Sequence, residues 1–247
     1  MEWADTVLVL RVGDFRESDL WVRVLSRKRG IYSAFAFGGR RSRRRFCGCL
    51  DAFNMLSCRC KSSRDGQFVT LEEAVLLRGL QRLRTDWSRM GVAVNCARFT
   101  EAMNISQETG PAAFQLVTEL LELLEKAETL PPLLPLFFRL RLASLAGFAP
   151  DFTACALCGQ PSGEKSWFLV DEGQLRCAAC GGARAPYAVE IPAAGLDLLR
   201  RVQQESLITW DAGSLRAGER RACARAIDGF VQYHLGLAWD EGRFRRV

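Results

Sequence analysis

The sequence predicts a mixed α+β protein with two domains, a small antiparallel barrel followed by a set of helices. Three observations support this fold class. Short apolar runs alternate with turn residues over the first third of the chain, apolar residues recur at helical spacing after it, and two Cys-x-x-Cys pairs interrupt the helical part. Short alternating runs are typical of strands, helical periodicity is typical of helices, and paired cysteines are typical of a metal site.

The barrel is predicted from apolar runs of strand length. Turn residues separate the runs, including Gly13-Asp14 and Gly38-Gly39. The spacing leaves no room for crossover helices, so the strands are expected to pair antiparallel. An antiparallel barrel of this size fits the five-stranded OB-fold, a Greek-key barrel that commonly binds oligonucleotides. The predicted strands are 6–12, 20–26, 31–37, 53–60 and 67–71.

The helical part is predicted from the apolar period of its residues. Phe114, Val117 and Leu120 recur at helical spacing, and Pro111 stands where a first-turn proline is tolerated. The segments 132–146, 192–204 and 214–235 show the same period. We therefore expect an OB-fold domain at 1–79 and an α-helical domain at 80–247, with a four-cysteine zinc module inserted at about 150–187.

The positive charge of the chain is concentrated in the predicted barrel. The formal net charge is +6, and residues 1–80 contain 15 Lys and Arg against 9 Asp and Glu, whereas residues 81–247 contain 19 of each kind. The whole excess therefore lies in the first third of the chain, where it attracts a polyanion such as a nucleic acid.

The sequence pattern also bears on the cellular compartment. Glu2 and Asp5 stand where a signal peptide needs Lys or Arg. The most apolar segment, 130–138, contains three prolines and is too short for a membrane helix. Ten cysteines without a secretory signal indicate thiols or metal ligands rather than disulfides. We expect a cytoplasmic protein without a membrane segment.

The strongest motif is a repeated Cys-x-x-Cys sequence. A tight turn aims both sulfurs of a pair at one metal ion, and two pairs complete a tetrahedral four-thiolate zinc site. Four protein ligands leave no position for water or substrate, so such a zinc ion is structural. A redox Cys-x-x-Cys accounts for one pair but not for two. The predicted ligands are Cys155, Cys158, Cys177 and Cys180.

The second motif is an arginine-rich segment that follows Gly38-Gly39. Five arginines in six positions repel one another, so we expect them on an exposed loop. Guanidinium groups suit phosphate oxygens, and a basic loop beside a barrel gives salt-sensitive binding without sequence preference. The preceding turn is expected to extend this surface, and a solvated loop without a partner is the alternative. The candidate phosphate-binding residues are Arg27, Lys28, Arg40, Arg41, Arg43, Arg44 and Arg45.

Four further cysteines leave a second metal site open. Cys47 with Cys49, and Cys58 with Cys60, place two thiols on one face of a strand because strand side chains alternate. The four sulfurs converge if the two strands pair. The alternative role is that of small apolar strand residues.

Catalytic signatures are missing from the sequence. His234 is the only histidine, which removes most general-base and metallohydrolase arrangements. No Gly-x-x-x-x-Gly-Lys-Ser/Thr phosphate loop occurs. A zinc deaminase needs Pro-Cys-x-x-Cys, but Ala154 precedes the first cysteine. We therefore expect a binding protein rather than an enzyme.

The order of these motifs resembles that of the RecO recombination mediators of bacteria. The stretch 30–45 resembles the family's glycine- and arginine-rich segment, and 17–19 and 233–236 resemble its N-terminal hairpin and its C-terminal helix end. The stretch 139–159 resembles its lead helix, G-x-x-P and C-x-x-C-G block most closely. Phe37 stands where the family usually has a lysine, which removes one candidate phosphate contact, and Ala52 replaces a usual proline.

The resemblance implies activities and partners that the residues alone do not give. It implies binding to single- and double-stranded DNA, annealing of complementary strands, and association with the nucleoid. It also implies two protein partners, RecR and the acidic C-terminal tail of the single-stranded-DNA-binding protein, and a role in loading RecA. The tail needs an apolar pocket with fixed positive charge, for which Arg139 or Arg141 is the candidate; arginines that face solvent or glutamates are the alternative.

Two other classes of protein are compatible with the same motifs. A zinc-containing OB-fold transcription or translation factor binds RNA and recognises the ribose 2′-hydroxyl. A DNA-processing enzyme with an unrecognised site cleaves or modifies a strand. Annealing of complementary oligonucleotides without nucleotide separates the mediator from both.

Overall fold

The structure, a computed structural model, describes residues 1–210 and 212–247, which form two compact units. The first comprises Met1–Ala93 and Met103–Lys126, and the second comprises Val94–Ala102 and Ala127–Val247. The predicted α+β class is confirmed. Among the described residues, none of the helices combines the length and the apolar character that a membrane crossing requires.

Five strands close into a barrel in the first unit. Their order is β1-β2-β3-β5-β4, and β1 pairs with β4 to close the barrel. The strands β3 and β5 pair in parallel, and all the other pairs are antiparallel. The expectation that all the strands pair antiparallel is therefore wrong for β3 and β5, whose pairing closes the Greek key, and the fold is the predicted OB-fold. The strands are β1 (Glu2–Asp14), β2 (Leu20–Ser26), β3 (Gly30–Ala36), β4 (Met55–Ser62) and β5 (Val69–Arg78).

The fourth strand differs from its prediction at the start. Phe53 has a φ of 66°, a left-handed conformation outside the β region, so β4 begins only at Met55. The backbone N–H of Phe53 instead donates to the carbonyl of Val9 at 2.7 Å. The prediction of a strand from residue 53 is therefore wrong at that end.

The barrel interior is apolar apart from a small polar group that includes Asp5 and Ser26. Alternate residues of each strand point inward, and Phe46 from the β3–β4 loop joins them as a fully buried ring. The carboxylate of Asp5 is buried as well, and it accepts hydrogen bonds from Ser26 Oγ at 3.0 Å and from the Tyr32 hydroxyl at 3.1 Å. A buried acid with two donors is satisfied, so it does not destabilise the barrel.

Helices complete the first unit. α1 (Gln81–Thr85) is followed by α2 (Trp87–Ala102), whose residues divide between the two units, and by α3 (Gly110–Lys126). The backbone N–H groups of the first three residues of α1 each donate to the carboxylate of Glu125 at 3.0 Å. A side chain of α3 therefore caps α1, whose own N-cap residue has no side-chain hydrogen bond.

The second unit contains the three remaining helices. α4 (Leu134–Leu145), α5 (Ala193–Gln204) and α6 (Ala217–Leu235) pack against one another. They correspond to the predicted segments 132–146, 192–204 and 214–235. α4 starts later than predicted because Leu133 adopts a left-handed φ of 63°, and α6 starts later because Arg216 is its N-cap.

Strands lie at two places in the second unit, between α4 and α5 and after α6. β6 (Lys165–Leu169), β7 (Gln174–Arg176) and β8 (Ala188–Pro192) form an antiparallel sheet in the order β7-β6-β8. β9 (Leu237–Asp240) and β10 (Arg243–Arg246) form a hairpin. The helical period does not predict this hairpin. Its signal is the turn Glu241-Gly242, where both residues have positive φ, as tight hairpin turns require.

Candidate metal centre and nucleic-acid interface

The four predicted metal ligands come together in the structure. The Sγ atoms of Cys155, Cys158, Cys177 and Cys180 all lie within 4.8 Å of one another, and those of Cys158 and Cys177 are 3.8 Å apart. A tetrahedron with metal–sulfur bonds of about 2.3 Å has edges of about 3.8 Å, so the Cys158–Cys177 separation equals such an edge and the four sulfurs lie close enough to share one metal ion.

The strand β7 holds the two cysteine turns together. The first turn is attached to it, because the N–H of Ala156 donates to the carbonyl of Leu175 at 2.9 Å, and the second turn follows β7 directly along the chain. Each turn ends at a glycine with left-handed backbone, Gly159 with φ 70° and Gly181 with φ 79°. Glycine adopts this conformation without steric cost, so the sequence folds locally into two metal-binding turns.

The same turns favour the thiolate form of one ligand. Burial raises the pKa of Cys155, but backbone N–H groups, those of Cys177 and Cys158 among them, outweigh it and bring the pKa to about 6. Hydrogen bonds with Cys177 and Cys158 raise the pKa of Cys180 to about 12. A metal ion binds thiolates, so its binding must displace the proton of Cys180.

The arginine segment lies on the loop between β3 and β4, at one end of the barrel. All five of its arginines are exposed, whereas the next residue, Phe46, is fully buried. The N–H of Ala74 on β5 donates to the carbonyl of Arg45 at 2.9 Å, which fixes the end of the loop on the barrel wall. The loop is therefore fixed to the barrel directly beside its exposed arginines.

The five arginines differ in their surroundings. Arg40 forms an ion pair with Asp14, and Arg45 donates to the carbonyl of Phe37 and lies over the Phe46 ring at 5.2 Å. The side chains of the other three form no ion pair within residues 1–210 and 212–247. These three guanidinium groups, of Arg41, Arg43 and Arg44, are open to phosphate.

The structure does not bring the two other predicted basic residues to this loop. Arg27 and Lys28 are exposed on the β2–β3 turn, at the opposite end of β3. A strand of that length, with a rise of about 3.3 Å per residue, separates the two groups by about 20 Å. Successive turns of an antiparallel barrel lie at opposite ends, so a nucleic acid must extend along the strand to contact both.

Four phenylalanines at the arginine end of the barrel were not selected by any sequence motif. Phe35 on β3 lies 4.6 Å from the ring centroid of Phe15 and 6.3 Å from those of Phe37 and Phe68. The available sequence signal was the alternation of Phe35 and Phe37 with small residues along one strand. We call this group the phenylalanine cluster.

The two candidate partner-binding arginines lie on α4 in different surroundings. Arg139 is buried, donates to Asp228 at 2.7 Å and to Asn95 at 3.0 Å, and lies over the ring of Phe244 at 4.9 Å. It lines a groove of about 610 Å³ whose other walls include Leu136, Trp239 and Phe244. Arg141 is half-buried and does not line this groove. The aromatic wall belongs to the β9–β10 hairpin, which sequence reasoning missed.

The remaining barrel cysteines do not form a second cluster. Cys58 and Cys60 have their Sγ atoms 3.7 Å apart, but Cys49 Sγ approaches the carbonyl of Ala74, and Cys47 is exposed on the arginine loop. Within the described ranges, only Cys155, Cys158, Cys177 and Cys180 form a group of three or more residues that could hold a metal ion. The apolar alternative therefore accounts for the buried thiols.

Known families match both parts of the chain. The family model described as Recombination protein O N terminal matches residues 1–80, and Recombination protein O C terminal matches residues 84–241. The chain is 51% identical to the DNA repair protein RecO of Nitratidesulfovibrio vulgaris and 41% identical to that of Lawsonia intracellularis, over 100% of both chains in each case. Identity to the DNA repair protein RecO of Anaeromyxobacter dehalogenans is 33%, over 97% of this chain and 94% of the relative.

The OB-fold barrel and these matches define the class of this molecule as a DNA repair and recombination protein. The resemblance noted in the sequence is thereby confirmed along the whole chain. The chain belongs to the RecO family.

Proposed function

We propose that this chain is a recombination mediator. It binds single- and double-stranded DNA, anneals complementary strands, and with RecR helps to load RecA onto strands coated by the single-stranded-DNA-binding protein. Membership of the RecO family is the observation that carries the proposal. The proposal includes no catalytic step. Its only histidine, His234, packs on Phe230 and contacts the carbonyl of Val170 at 2.7 Å, which is a structural role.

The DNA contact is proposed for the exposed basic residues of the barrel. Arg41, Arg43 and Arg44 carry fixed charge and form no ion pair with a carboxylate among the described residues, and Arg40 and Arg45 lie beside them. Arg27 and Lys28 provide a second contact about 20 Å away along β3. Contacts of this kind go to phosphates, so binding is independent of sequence and sensitive to salt.

The metal of the cysteine cluster is proposed to be zinc. Four thiolates with tetrahedral spacing suit Zn²⁺, and the closed ligand set gives it a structural role in joining the two turns. When bound, the ion would cross-link the two cysteine turns and would take no part in a reaction. Cys155, Cys158, Cys177 and Cys180 each contribute one Sγ.

The tail of the single-stranded-DNA-binding protein is proposed to bind in the groove beside α4. An acidic tail that ends in phenylalanine needs an aromatic wall and a cation, and the groove offers Trp239, Phe244 and Arg139. Arg139 already donates to Asp228, so a tail carboxylate has to share or replace that partner. Arg139 is nevertheless the favoured contact, because it lines the groove and Arg141 does not, so Arg141 serves as the comparison.

Fluorescence anisotropy with a labelled tail peptide tests the groove. Trp239→Ala and Arg139→Lys are expected to weaken peptide binding about tenfold or more, because aromatic and arginine anchors dominate such contacts. Arg141→Ala is the matched control on the same helix and is expected to bind as the wild type does. Naked-DNA binding should stay unchanged in all three variants. Arg139→Lys is expected to lower the melting temperature, because Arg139 is buried and hydrogen-bonded to Asp228 and Asn95, so peptide binding is measured well below its unfolding transition. If the groove variants bind the peptide normally, the tail binds elsewhere.

Strand annealing tests the function as a whole. Complementary oligonucleotides coated with single-stranded-DNA-binding protein are expected to anneal faster with this chain, without nucleotide, and RecR is expected to assist RecA loading in the same mixture. Uncoated RNA and DNA strands of one sequence serve as a comparison. A strong preference for RNA supports the transcription or translation factor, and cleavage of a labelled strand supports an enzyme. Either result contradicts the mediator.

A further inference from the structure

The phenylalanine cluster presents ring surface to solvent beside the arginine loop. The exposed fractions of Phe15, Phe37 and Phe68 are 45%, 38% and 43%, and Phe35 lies half-buried between them. The four residues contribute nothing to the barrel interior, which is filled from the other face of the strands. Contiguous exposed apolar surface of this kind marks a binding site more often than a structural one.

The backbone explains why the rings face outward. Ala34 and Ala36 point into the barrel, with exposed fractions of 1% and 0%, so the alternate residues Phe35 and Phe37 lie on the outer face. Phe15 belongs to the β1–β2 loop, and Phe68 ends the β4–β5 turn. These two loops flank the oligonucleotide-binding face in OB-folds generally.

Positive charge surrounds the rings. The guanidinium of Arg16 lies 5.2 Å from the Phe15 ring centroid, Arg45 donates to the carbonyl of Phe37, and Arg64 is exposed on the β4–β5 turn. Guanidinium groups at this distance bind phosphate while a neighbouring ring contacts a base. The combination of flat apolar surface and cations suits a single nucleic-acid strand.

The carboxylates on the same segments mostly have partners within the fold. Asp14 pairs with Arg40, Asp19 Oδ1 accepts the N–H of Gly38 at 2.8 Å, and Asp65 Oδ1 accepts the N–H of Gln67 at 3.2 Å. Glu17 is exposed. The segments 14–19, 37–45 and 63–68 together carry seven arginines against these four acids, so a phosphate chain is attracted to this end of the barrel.

We propose that the phenylalanine cluster is a stacking platform for unpaired nucleobases, with the flanking arginines on the phosphates. The bases of a single strand expose their π faces, whereas duplex bases stack on one another and offer only phosphates and groove edges. The platform therefore distinguishes single strands from duplexes, which charge alone does not. This inference rests on the proposed DNA binding of the barrel and specifies how that binding selects its strand.

Anisotropy with three probes of equal length tests the platform: a single strand, a duplex of the same sequence, and a strand of abasic sites. The variant combining Phe15→Ala, Phe37→Ala and Phe68→Ala keeps Phe35, which is half-buried, to protect the fold. It is expected to lose about tenfold or more in affinity for the single strand, and to bind the duplex and the abasic strand as the wild type does. Phe148→Ala, which removes a ring with an exposed fraction of 44% from the second unit, is the matched control and should bind all three normally. Phe37→Trp, which keeps a stacking ring, should retain single-strand affinity.

The outcomes separate the platform from the function on which it rests. A wild type that binds none of the probes contradicts the proposed DNA binding itself. A wild type that binds all three, with a phenylalanine variant of equal single-strand affinity, overturns the platform and leaves DNA binding intact. Equal losses on all three probes also overturn it, because they indicate a structural effect rather than base stacking. A loss of affinity that is confined to the single strand supports the platform.

Discussion

Removal of the three open arginines is expected to flatten the salt dependence of DNA binding. Arg41, Arg43 and Arg44 are exposed, form no ion pair with another described residue, and lie on an anchored loop. Each phosphate contact contributes about 0.7 to the slope of log affinity against log salt on single strands, so replacing all three by alanine should lower the slope by about 2.

That change in slope corresponds to a measurable difference in affinity. When salt rises from about 50 mM to about 200 mM, the wild type should lose about 20-fold more affinity than the triple alanine variant. The assay is fluorescence anisotropy with a labelled single strand at a series of salt concentrations. Melting temperature should not change, because exposed substitutions rarely shift stability by more than about 0.5 kcal/mol.

A charge-conserving variant gives the matched control. Lysine at all three positions keeps the counterion release and should keep the slope of the wild type, even if the loss of bidentate geometry lowers affinity. If the folded alanine variant has the same slope as the wild type, the phosphate contacts lie elsewhere and the assignment of the loop is wrong.

Three further outcomes follow from the metal cluster, a close backbone approach and a helix cap. Purification without added metal should give one zinc per chain by elemental analysis, and Cys155→Ser should release it and lower the melting temperature; a folded, metal-free wild type contradicts the site. Gly30→Ala should cost well over 1 kcal/mol in denaturant unfolding, because its Cβ would lie 2.3 Å from the Ile105 carbonyl, whereas Gly66→Ala, at a similar φ of 72° in open space, should cost only about 1 kcal/mol. Equal costs refute the close approach. Burial raises the pKa of Glu125, but three backbone N–H groups of α1 outweigh it and lower the pKa. A lowered folded-state pKa stabilises the protein above the unfolded pKa of about 4.3, and this stabilisation disappears as pH falls through the folded value, so the wild type should lose more stability than Glu125→Gln between about pH 6 and pH 3. Parallel stability curves argue against the cap.

The metal cluster was predictable because its geometry is local. A Cys-x-x-Cys turn fixes two sulfurs within a few residues, and only one long-range approach, of Cys158 to Cys177, has to be supplied by the fold. The barrel was predictable for a similar reason, since strand alternation and turn residues act over short distances. The exposure of the arginine loop followed from the repulsion among its charges.

The surroundings of Arg139 were not predictable, because they depend on packing between distant segments. Its partners Asp228 and Asn95 are 89 and 44 residues away along the chain. The aromatic wall of the groove comes from a hairpin whose strands have only four residues each, too few for a period to be recognised. The distance between Arg27 and the arginine loop was likewise not predictable from the alternation of apolar residues, because it depends on which strands pair in the barrel.

The buried ring of Phe46 has a consequence for how this chain can evolve. The ring fastens the basic loop to the barrel interior, and the arginines before it take no part in the core. Selection can therefore exchange Arg41, Arg43 and Arg44, which form no ion pair with another described residue, and adjust the strength of the proposed DNA binding with little effect on folding. Stability and affinity usually constrain each other when one residue serves both. Here the Phe46 ring and the backbone hydrogen bond between Ala74 and Arg45 hold the loop, so the exposed side chains before Phe46 can change.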